Sequence, residues 1–223
     1  LTPCRTWLEG VYYFIGLKLY DFISGRSQFG KSELLSKQKA LEKIPTLKKG
    51  QLFSAVMYYD GQLDDQRFNW ALIQTAIAHG ATCINHCALQ SFAKNDAGKI
   101  ASASVKDELT GNTIGITAKV FLNATGPFAD SIRQMANDAA DPRMRVSKGV
   151  HILLPKHMMP TATALLIPKT KDNRLIFAIP YQKHLLVGTT DDETTLTEKE
   201  FGPTAHEIKY LLEYINEYLD VHA

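Results

Sequence analysis

The stretch from Lys119 to Arg133 constrains the fold more than any other part of the sequence. It begins as an apolar run that is too short for a buried helix and breaks at residues 125–127, Thr-Gly-Pro. Apolar side chains then resume at helical spacing with Phe128 and Ile132, so the pattern predicts a strand, a tight turn and a helix. Proline suits the first position of a helix, and the helix N-terminus favours a negative charge such as a nucleotide diphosphate.

Two helices and a strand are predicted ahead of this stretch. Large apolar side chains recur at helical spacing from Trp7 to Ile23, and this helix should end at Ser24-Gly25. It either covers a hydrophobic core or lies on a membrane surface, because a tyrosine-rich apolar face suits both places. Ser32 is the expected N-cap of a second helix that ends before Pro45, and residues 52–59 are expected to form a strand.

The middle of the chain alternates between helical and extended patterns. Asp64 or Asp65 should cap a helix that closes at Gly80, and a hydrophobic strand is expected through Cys83 and Ile84. Between residues 87 and 120, three strands are predicted, linked by turn sequences at residues 95–98 and 110–112.

The polar stretch 137–143 is the best candidate for a boundary between structural segments. Four short strands separated by turn sequences follow it and predict an antiparallel sheet. Their expected ranges are 146–154, 164–167, 174–179 and 185–187. Thr204 should then cap a final helix.

Composition excludes some classes of function. The 223 residues include 25 basic and 23 acidic ones, giving a net charge of +2, so no basic face for nucleic acid is expected. Three cysteines argue against a disulfide framework and favour a reducing compartment. No signal peptide is predicted, and the apolar run 11–17 is much shorter than a spanning helix, so a soluble or a membrane-peripheral protein fits the sequence.

Metal and hydrolase chemistry are not expected. His79, Cys83, His86 and Cys87 lie within nine positions, but His79 belongs at a helix end and His86 points away from the two cysteines of an extended segment. We therefore predict no metal site. The sequence contains neither the Gly-x-Ser-x-Gly motif of α/β hydrolases nor a Walker or Gly-x-Gly-x-x-Gly loop.

Two polar residues lie at strands of the predicted C-terminal sheet. His151 is inside the apolar strand segment Val150–Leu154 and just after a glycine, and Arg174 opens a later strand. Taken alone, such residues are more often core or surface groups than functional ones. The residues themselves therefore indicate only a nucleotide-associated α/β protein with an attached sheet.

Four motifs together resemble one family. They are Tyr59-Asp60-Gly61-Gln62, the segment Asn123–Ile132, Gly149-Val150-His151-Ile152 and Gly188-Thr189-Thr190-Asp191. In this order and spacing they resemble the FAD-dependent glycerol-3-phosphate dehydrogenases, in particular the mitochondrial type, over nearly the whole chain.

The resemblance implies site residues. It places His151 and Arg174 in the substrate pocket, where a histidine takes or orients the proton of the substrate hydroxyl and a guanidinium binds the phosphate through two hydrogen bonds. It places the backbone of Ala124, Thr125, Gly126 and Pro127 against FAD, with the main chain at Leu89 as a further FAD contact. Asp191 matches a family motif, but a turn aspartate is ordinarily structural.

The resemblance also implies a fold and an activity. The fold is expected to be mixed α/β, with a partial FAD-binding Rossmann-like layer, a β-meander and an antiparallel substrate sheet of the D-amino-acid-oxidase type. Expected segments are a helical substrate-domain segment (1–57), an FAD-binding segment (58–137) and a substrate-binding segment (138–223). The expected activity is oxidation of glycerol 3-phosphate to dihydroxyacetone phosphate, with electrons passed to quinone.

The sequence departs from the family in two places. The N-terminal Gly-x-Gly-x-x-Gly loop for the FAD pyrophosphate and the later Gly-x-Arg-Pro segment are both missing, so the chain resembles the central portion of such an enzyme. Two alternatives stay open, namely a glycerophosphate oxidase that uses oxygen and a binding module without flavin. The expected location is peripheral, at the inner mitochondrial membrane in a eukaryote or at the cytoplasmic membrane in a bacterium.

Overall fold

The computed structural model describes residues 1–25, 29–196 and 202–221. Within these residues the helices are α1 (Trp7–Ser24), α2 (Lys37–Lys43), α3 (Asp65–Ala78), α4 (Ala129–Ala136) and α5 (Ala205–Tyr218). The strands are β1 (Thr2–Cys4), β2 (Glu33–Ser36), β3 (Ser54–Met57), β4 (Cys87–Lys94), β5 (Ile100–Asp107), β6 (Thr113–Thr117), β7 (Ser147–Lys148), β8 (His151–Pro155), β9 (Leu165–Ile167), β10 (Ile176–Tyr181), β11 (His184–Gly188) and β12 (Asp192–Glu193).

The chain folds as two compact units. The first unit combines Leu1–Gly61 with Ser147–Ala223, and the second unit is Gln62–Val146. The second unit is thus an insertion between the two segments of the first.

The first unit is built on an antiparallel sheet with strand order β8-β11-β10-β9. Alternate side chains of this sheet point into the main hydrophobic core, where α5 also contributes Leu211 and Ile215. Six sheet residues in this core have no exposed surface: Leu165, Ile167, Ile176, Ala178, Leu185 and Val187. This arrangement confirms the antiparallel sheet that the strand pattern predicts, and it leaves the opposite side as an open face.

A three-stranded sheet of order β1-β3-β2 completes the first unit. The Leu166 N–H donates to the Leu1 carbonyl at 2.8 Å, which joins β9 to the start of β1. The end of the chain is anchored by α5, whose N-cap Thr204 and third residue Glu207 form a reciprocal capping box. The predicted cap at Thr204 is therefore confirmed.

Helix α1 forms as predicted, with Thr6 as its N-cap and Gly25 at its C-terminus. Gly10 is the only buried residue of this helix. It packs so closely that an added Cβ would stand 2.9 Å from the Ser54 hydroxyl oxygen. The large apolar side chains face outward instead, and Phe22, for example, is 83% exposed. In the part of the chain that the structure describes, α1 therefore does not cover a core with its apolar face.

The second helix begins later than predicted. Ser32 is followed by strand β2, and Ser36 is the N-cap of α2. The Ser32 N–H and hydroxyl both donate to Asp21, each at 2.8 Å, so its polar groups are used by α1. The prediction is wrong because pairing of β2 with β3 competes successfully with helix formation at residues 33–36.

The second unit contains the predicted three-stranded meander, ordered β4-β5-β6. The pairing of β4 with β5 skips Gln90, which produces a bulge between Leu89 and Ser91. Helix α3 is capped by the Asp64 carboxylate, which accepts from the Arg67 N–H at 3.1 Å, as the sequence predicts.

Two predicted strands of the second unit are missing. Within the described residues, neither the run at Cys83–Ile84 nor the apolar run after Lys119 pairs with a strand. Their side chains are exposed, with Leu122 at 91%. Hydrophobicity alone predicted these strands, but a strand also needs a neighbour that pairs with its backbone groups.

Candidate functional site

His151 lies at the start of β8 on the open face of the sheet. It pairs with Gly188 of β11, which in turn pairs with Phe177 of β10. A Cβ atom at Gly188 would stand 2.4 Å from Cδ2 of the His151 ring. The glycine therefore lets the imidazole lie directly against the backbone of β11, a close approach that no other residue type allows.

The open face around His151 is apolar. The next row of paired residues is Leu153, Leu186 and Ile179, and Leu153 is 57% exposed. The row beyond it contains His184 paired with Pro155. The sheet thus presents the His151 imidazole at the edge of an exposed apolar surface, where a ring nitrogen can act as a proton acceptor.

Arg174 precedes β10 and is held by two carboxylates. Its Nε lies 3.0 Å from Oδ2 of Asp172, and its Nη1 lies 3.0 Å from Oδ1 of Asp192. Burial disfavours the charged guanidinium, but the hydrogen bond from Arg174 to Asp192 and the charges of both carboxylates outweigh it and raise the pKa of Arg174. The guanidinium is therefore a fixed cation with two anionic neighbours.

The register does not bring Arg174 into the row of His151. Phe177, three residues further along, holds that place on the open face. Arg174 stands two residues before Ile176, whose side chain points into the buried core. The two predicted substrate residues therefore belong to the same unit but to different rows of the sheet.

The turn after β11 carries polar contacts that sequence reasoning missed. Thr190 accepts a hydrogen bond from the Val150 N–H at 3.0 Å and donates to Glu207 at 3.4 Å. Lys148 contacts the other carboxylate oxygen of Glu207 at 3.2 Å. Part of this arrangement was visible in the sequence, because the three-residue spacing of Thr204 and Glu207 is that of a capping box.

The predicted cofactor turn lies in the second unit. Residues 124–127 are exposed, and Gly126 has φ +57° with no atom within 4 Å of an added Cβ. Asn123 shapes the turn by accepting from the Thr125 hydroxyl at 2.7 Å and donating to the Ala129 carbonyl at 2.9 Å. The main chain of the turn is therefore accessible and held in a defined shape, which fits a ligand bound through backbone groups.

Leu89 lies in β4 next to the bulge at Gln90. The rings of Phe92 and Phe121 are 5.9 Å apart in an edge-to-face contact, which fixes β4 against the segment that enters the turn. Leu89 and the turn at residues 124–127 thus belong to one structural unit.

Asp130 was also missed from the sequence. Its carboxylate accepts from the N–H groups of Met144 at 2.6 Å and Arg143 at 2.7 Å, and it pairs with Arg133. The Met144 hydrogen bond is the largest cause of the lowered pKa of Asp130, opposed by desolvation. This aspartate ties the first turn of α4 to the end of the second unit.

Metal ligands do not gather in the described residues, where no group of three or more His, Cys, Asp or Glu side chains is arranged to hold an ion. His79 ends α3, and its Nδ1 lies 2.9 Å from the Thr75 carbonyl. Cys83 is exposed and Cys87 half-buried, and both are free thiols.

Sequence comparison identifies a family and its named relatives. A family model described as FAD dependent oxidoreductase, DAO, matches residues 10–222. A protein of Caenorhabditis elegans named as a mitochondrial glycerol-3-phosphate dehydrogenase is 44% identical over 93% of this chain and 29% of its own length. The mitochondrial glycerol-3-phosphate dehydrogenase of Homo sapiens is 39% identical over 98% of this chain and 31% of its own length.

Structural comparison agrees. The glycerol-3-phosphate dehydrogenase of Bacillus halodurans, solved with FAD, superposes with a TM-score of 0.74 at 31% identity and covers 83% of this chain and 37% of that protein. The L-proline dehydrogenase of P. horikoshii shares the fold, with a TM-score of 0.72 at 15% identity over 98% of this chain and 55% of that protein.

The match and the superpositions confirm the expected mixed fold and FAD-oxidoreductase resemblance. The chain spans only about a third of the length of the curated relatives it matches.

Proposed function

The chain belongs to the DAO family of FAD-dependent oxidoreductases, and from this premise we propose that it supplies substrate and cofactor groups for oxidising sn-glycerol 3-phosphate to dihydroxyacetone phosphate. The observation that carries the proposal is the His151 ring on the open, apolar face of the sheet, against Gly188. Identity of 31–44% to proteins named glycerol-3-phosphate dehydrogenases supports this choice of substrate.

The reaction removes a proton and a hydride from the secondary alcohol. FAD, when bound, would supply the acceptor for the hydride that leaves carbon 2. His151 takes the proton of the hydroxyl group on that carbon through a ring nitrogen. The apolar side chains of Leu153 and Phe177 flank this position on the open face.

The test of this role compares two histidines on the same sheet face. His151→Ala in the FAD-loaded protein should lower kcat by about 10²–10⁴-fold, the usual contribution of a general base. His184→Ala is the matched control, because His184 is also exposed on the open face but lies two rows away. Unchanged turnover in His151→Ala, with bound flavin retained, would refute the assignment.

Arg174 is proposed to bind the substrate phosphate. Its side chain is 29% exposed, and a guanidinium matches a phosphate in geometry and charge. The Arg174 guanidinium is paired with Asp172 and Asp192 in this structure. To bind phosphate, it must therefore release one of these carboxylates.

Arg174→Gln should therefore raise the KM for glycerol 3-phosphate more than it lowers kcat. Arg5→Gln is the matched control, since Arg5 is also paired with a carboxylate, that of Glu217, in the same unit. Equal effects of the two substitutions on KM would assign Arg174 a structural role only.

We propose that the backbone of Ala124, Thr125, Gly126 and Pro127 contacts FAD, with the main chain at Leu89 as a second contact. The accessible backbone of the turn and the β-bulge next to Leu89 support this placement. Gly126→Val should weaken FAD binding, measured by flavin fluorescence, because a branched side chain fills the open space and strains a positive φ.

Gly111→Val is the control for this cofactor test. Gly111 also has a positive φ, +78°, and open space around it, but it lies in the turn between β5 and β6. Equal FAD affinity in the two variants would contradict the proposed turn contact. Absence of flavin from the unaltered protein after reconstitution would instead favour a binding module without FAD.

Quinone is the proposed electron acceptor. An apolar cleft of about 490 Å³ beside α1 is lined by groups that include Tyr12, Ile15 and Leu175, and its volume suits a small ring system. Leu175→Asn should raise the KM for a soluble quinone without changing the KM for glycerol 3-phosphate. The control is Phe53→Asn, also at an exposed position, which should leave both KM values unchanged. Anaerobic turnover supports quinone, and hydrogen peroxide formation at the same rate in air would identify an oxidase instead.

Peripheral attachment to a membrane is proposed through α1. Phe22 and Ile23 are 83% and 75% exposed, and their apolar surface suits the bilayer interface. The structure has no helix in its described ranges that is long and apolar enough to cross a bilayer. The proposed location is the inner mitochondrial membrane in a eukaryote, or the cytoplasmic membrane in a bacterium.

Co-sedimentation with vesicles of phosphatidylcholine and cardiolipin tests this attachment. Phe22→Ser and Ile23→Ser should reduce vesicle binding, and Phe53→Ser, at a position 56% exposed outside α1, should not. Equal losses in all three variants would remove α1 from the proposal.

A further inference from the structure

The backbone that carries His151 is held by a buried hydroxyl group. The N–H of Val150, the residue just before His151, donates to Oγ1 of Thr190 at 3.0 Å. Val150 is 7% exposed and Thr190 is 2% exposed, so water does not replace this bond. The position from which the imidazole projects therefore depends on Thr190.

Thr190 is in turn held by a buried carboxylate. Its hydroxyl donates to Oε1 of Glu207 at 3.4 Å, and Glu207 is 2% exposed. Oε2 of Glu207 accepts from the Thr204 N–H at 2.7 Å and the Thr204 hydroxyl at 2.8 Å, and it pairs with Lys148 at 3.2 Å. These donors and the N-terminus of α5 offset the cost of burying the charge.

Two glycine contacts fix the same strand end from the other side. A Cβ at Gly149 would meet Oγ1 of Thr189 at 2.4 Å and the Thr190 carbonyl at 2.9 Å, and Gly188 lies against the ring of His151. The start of β8 and the turn after β11 therefore fit together with little room for adjustment. A change at Thr190 is therefore expected to displace the imidazole of His151.

We propose that Thr190 and Glu207 are positioning residues, which hold His151 at the place from which it accepts the substrate proton. The proposal rests on the proposed function of His151. It separates the role of Glu207 from that of an ordinary helix cap, because the carboxylate is bonded both to the first turn of α5 and to the turn that anchors β8.

The primary variant is Thr190→Val, which keeps the shape of the side chain and removes its hydroxyl group. In the FAD-loaded protein kcat should fall about tenfold or more, because small displacements of a catalytic group are costly, while KM changes by less than about twofold. Thr190→Ser retains the hydroxyl and should restore most of the rate.

Ser32→Ala is the matched control. It also removes a buried hydroxyl that hydrogen-bonds a carboxylate, but on the connection between α1 and β2. It should leave kcat within about twofold of the unaltered protein, because no hydrogen bond links it to β8 in the described contacts. Equal losses of kcat in Thr190→Val and Ser32→Ala would overturn the proposal.

A double-mutant cycle separates positioning from general stability. With His151→Ala present, Thr190→Val should cause no further loss of kcat, since the group it positions is gone. Additive losses would overturn the inference. If His151→Ala itself leaves kcat unchanged, the proposed function of His151 fails first, and the two failures are thereby distinguished.

A readout without activity completes the test. In protein labelled at histidine, the ring signals of His151 should shift in Thr190→Val and in Glu207→Gln, but not in Ser32→Ala. Glu207→Gln serves if Thr190→Val does not fold, because glutamine keeps the size of the side chain but removes the charge and one of the two acceptor oxygens that Thr190, Thr204 and Lys148 share. Unchanged His151 signals in a folded Thr190 or Glu207 variant would contradict the positioning role.

Discussion

Replacing Gly188 with alanine tests the geometry on which the candidate site depends. The new methyl carbon would stand 2.4 Å from Cδ2 of His151, 2.8 Å from its Cγ and 2.9 Å from the Val150 carbonyl oxygen. Restoring an ordinary carbon contact of about 3.5 Å requires the ring to move by about 1 Å. Such overpacking costs about 1–3 kcal/mol of folding free energy.

The expected effect on catalysis is larger than the effect on stability. A displacement of about 1 Å in a reacting group costs about 10²-fold in rate, or about 2.7 kcal/mol of barrier. The assay is kcat for glycerol 3-phosphate oxidation in the FAD-loaded protein, measured together with thermal unfolding. Tm should fall by about 2–4 °C for each kcal/mol lost.

Gly50→Ala is the control for this substitution. Gly50 lies in the same unit, and an added Cβ there meets no atom within 4 Å. Its kcat should be unchanged and its stability equal or higher. If Gly188→Ala also keeps its kcat and its Tm, the imidazole does not lie against β11 and the reasoning fails.

Three further substitutions test other parts of the structure. Gly16→Ala in α1 should raise the free energy of unfolding by about 1 kcal/mol in urea titrations, because the added methyl meets no atom and alanine favours a helix. Burial opposes ionisation of Glu207, but its contacts with Thr204 and Lys148 outweigh burial and lower its pKa. The stabilising contribution of Glu207 is therefore present above the unfolded pKa of about 4.3 and is lost as pH falls through the lower folded value. The free energy of unfolding in urea should therefore fall less between pH 6 and pH 3.5 in Glu207→Gln than in the unaltered protein. Asn123→Ala should weaken FAD binding, measured by flavin fluorescence, because two hydrogen bonds that shape the turn are lost; an unchanged affinity would count against the turn as a cofactor contact.

The sequence predicts elements that are defined by local signals. Helices α1, α3 and α5 have caps and apolar spacing that are visible in the residues alone, and the β4-β5-β6 meander has turn sequences at both connections. These signals act over a few residues, so no knowledge of tertiary contacts is needed. The predicted caps at Asp64 and Thr204 are present for this reason.

The failures occur where a distant partner decides the outcome. Serine is a favoured N-cap residue, but after Ser32 the pairing of Leu34 with Val56 makes the next residues a strand. The runs at Ile84 and Leu122 are apolar enough for strands, but they find no pairing partner in the described parts of the chain. Propensity cannot reveal either outcome, because both depend on residues far away in sequence.

The site follows the same division. Gly149, the glycine before His151, does lie at a close approach, that of Thr189, but the approach to the His151 ring itself comes from Gly188, which register alone brings opposite the histidine. Thr190 and Glu207 are joined across the fold, and only one half of that connection, the capping box, is written in local sequence. The carboxylates around Arg174 likewise come from separate parts of the chain, Asp172 from the turn before β10 and Asp192 from β12.

The insertion of the second unit into the first has a consequence for folding kinetics. The contacts of residues 62–146 are closed within one continuous segment, whereas the first unit must bring β1 of segment 1–61 to β9 of the segment that begins at Ser147. Joining the two halves requires closure of the whole intervening loop, although each doubling of loop length adds only about 0.6 kcal/mol. If the insertion folds first, it shortens that loop before β1 meets β9. Refolding should then show a fast phase from the meander and from the sheet that carries His151, followed by a slower phase in which the N-terminal segment joins that sheet at β9.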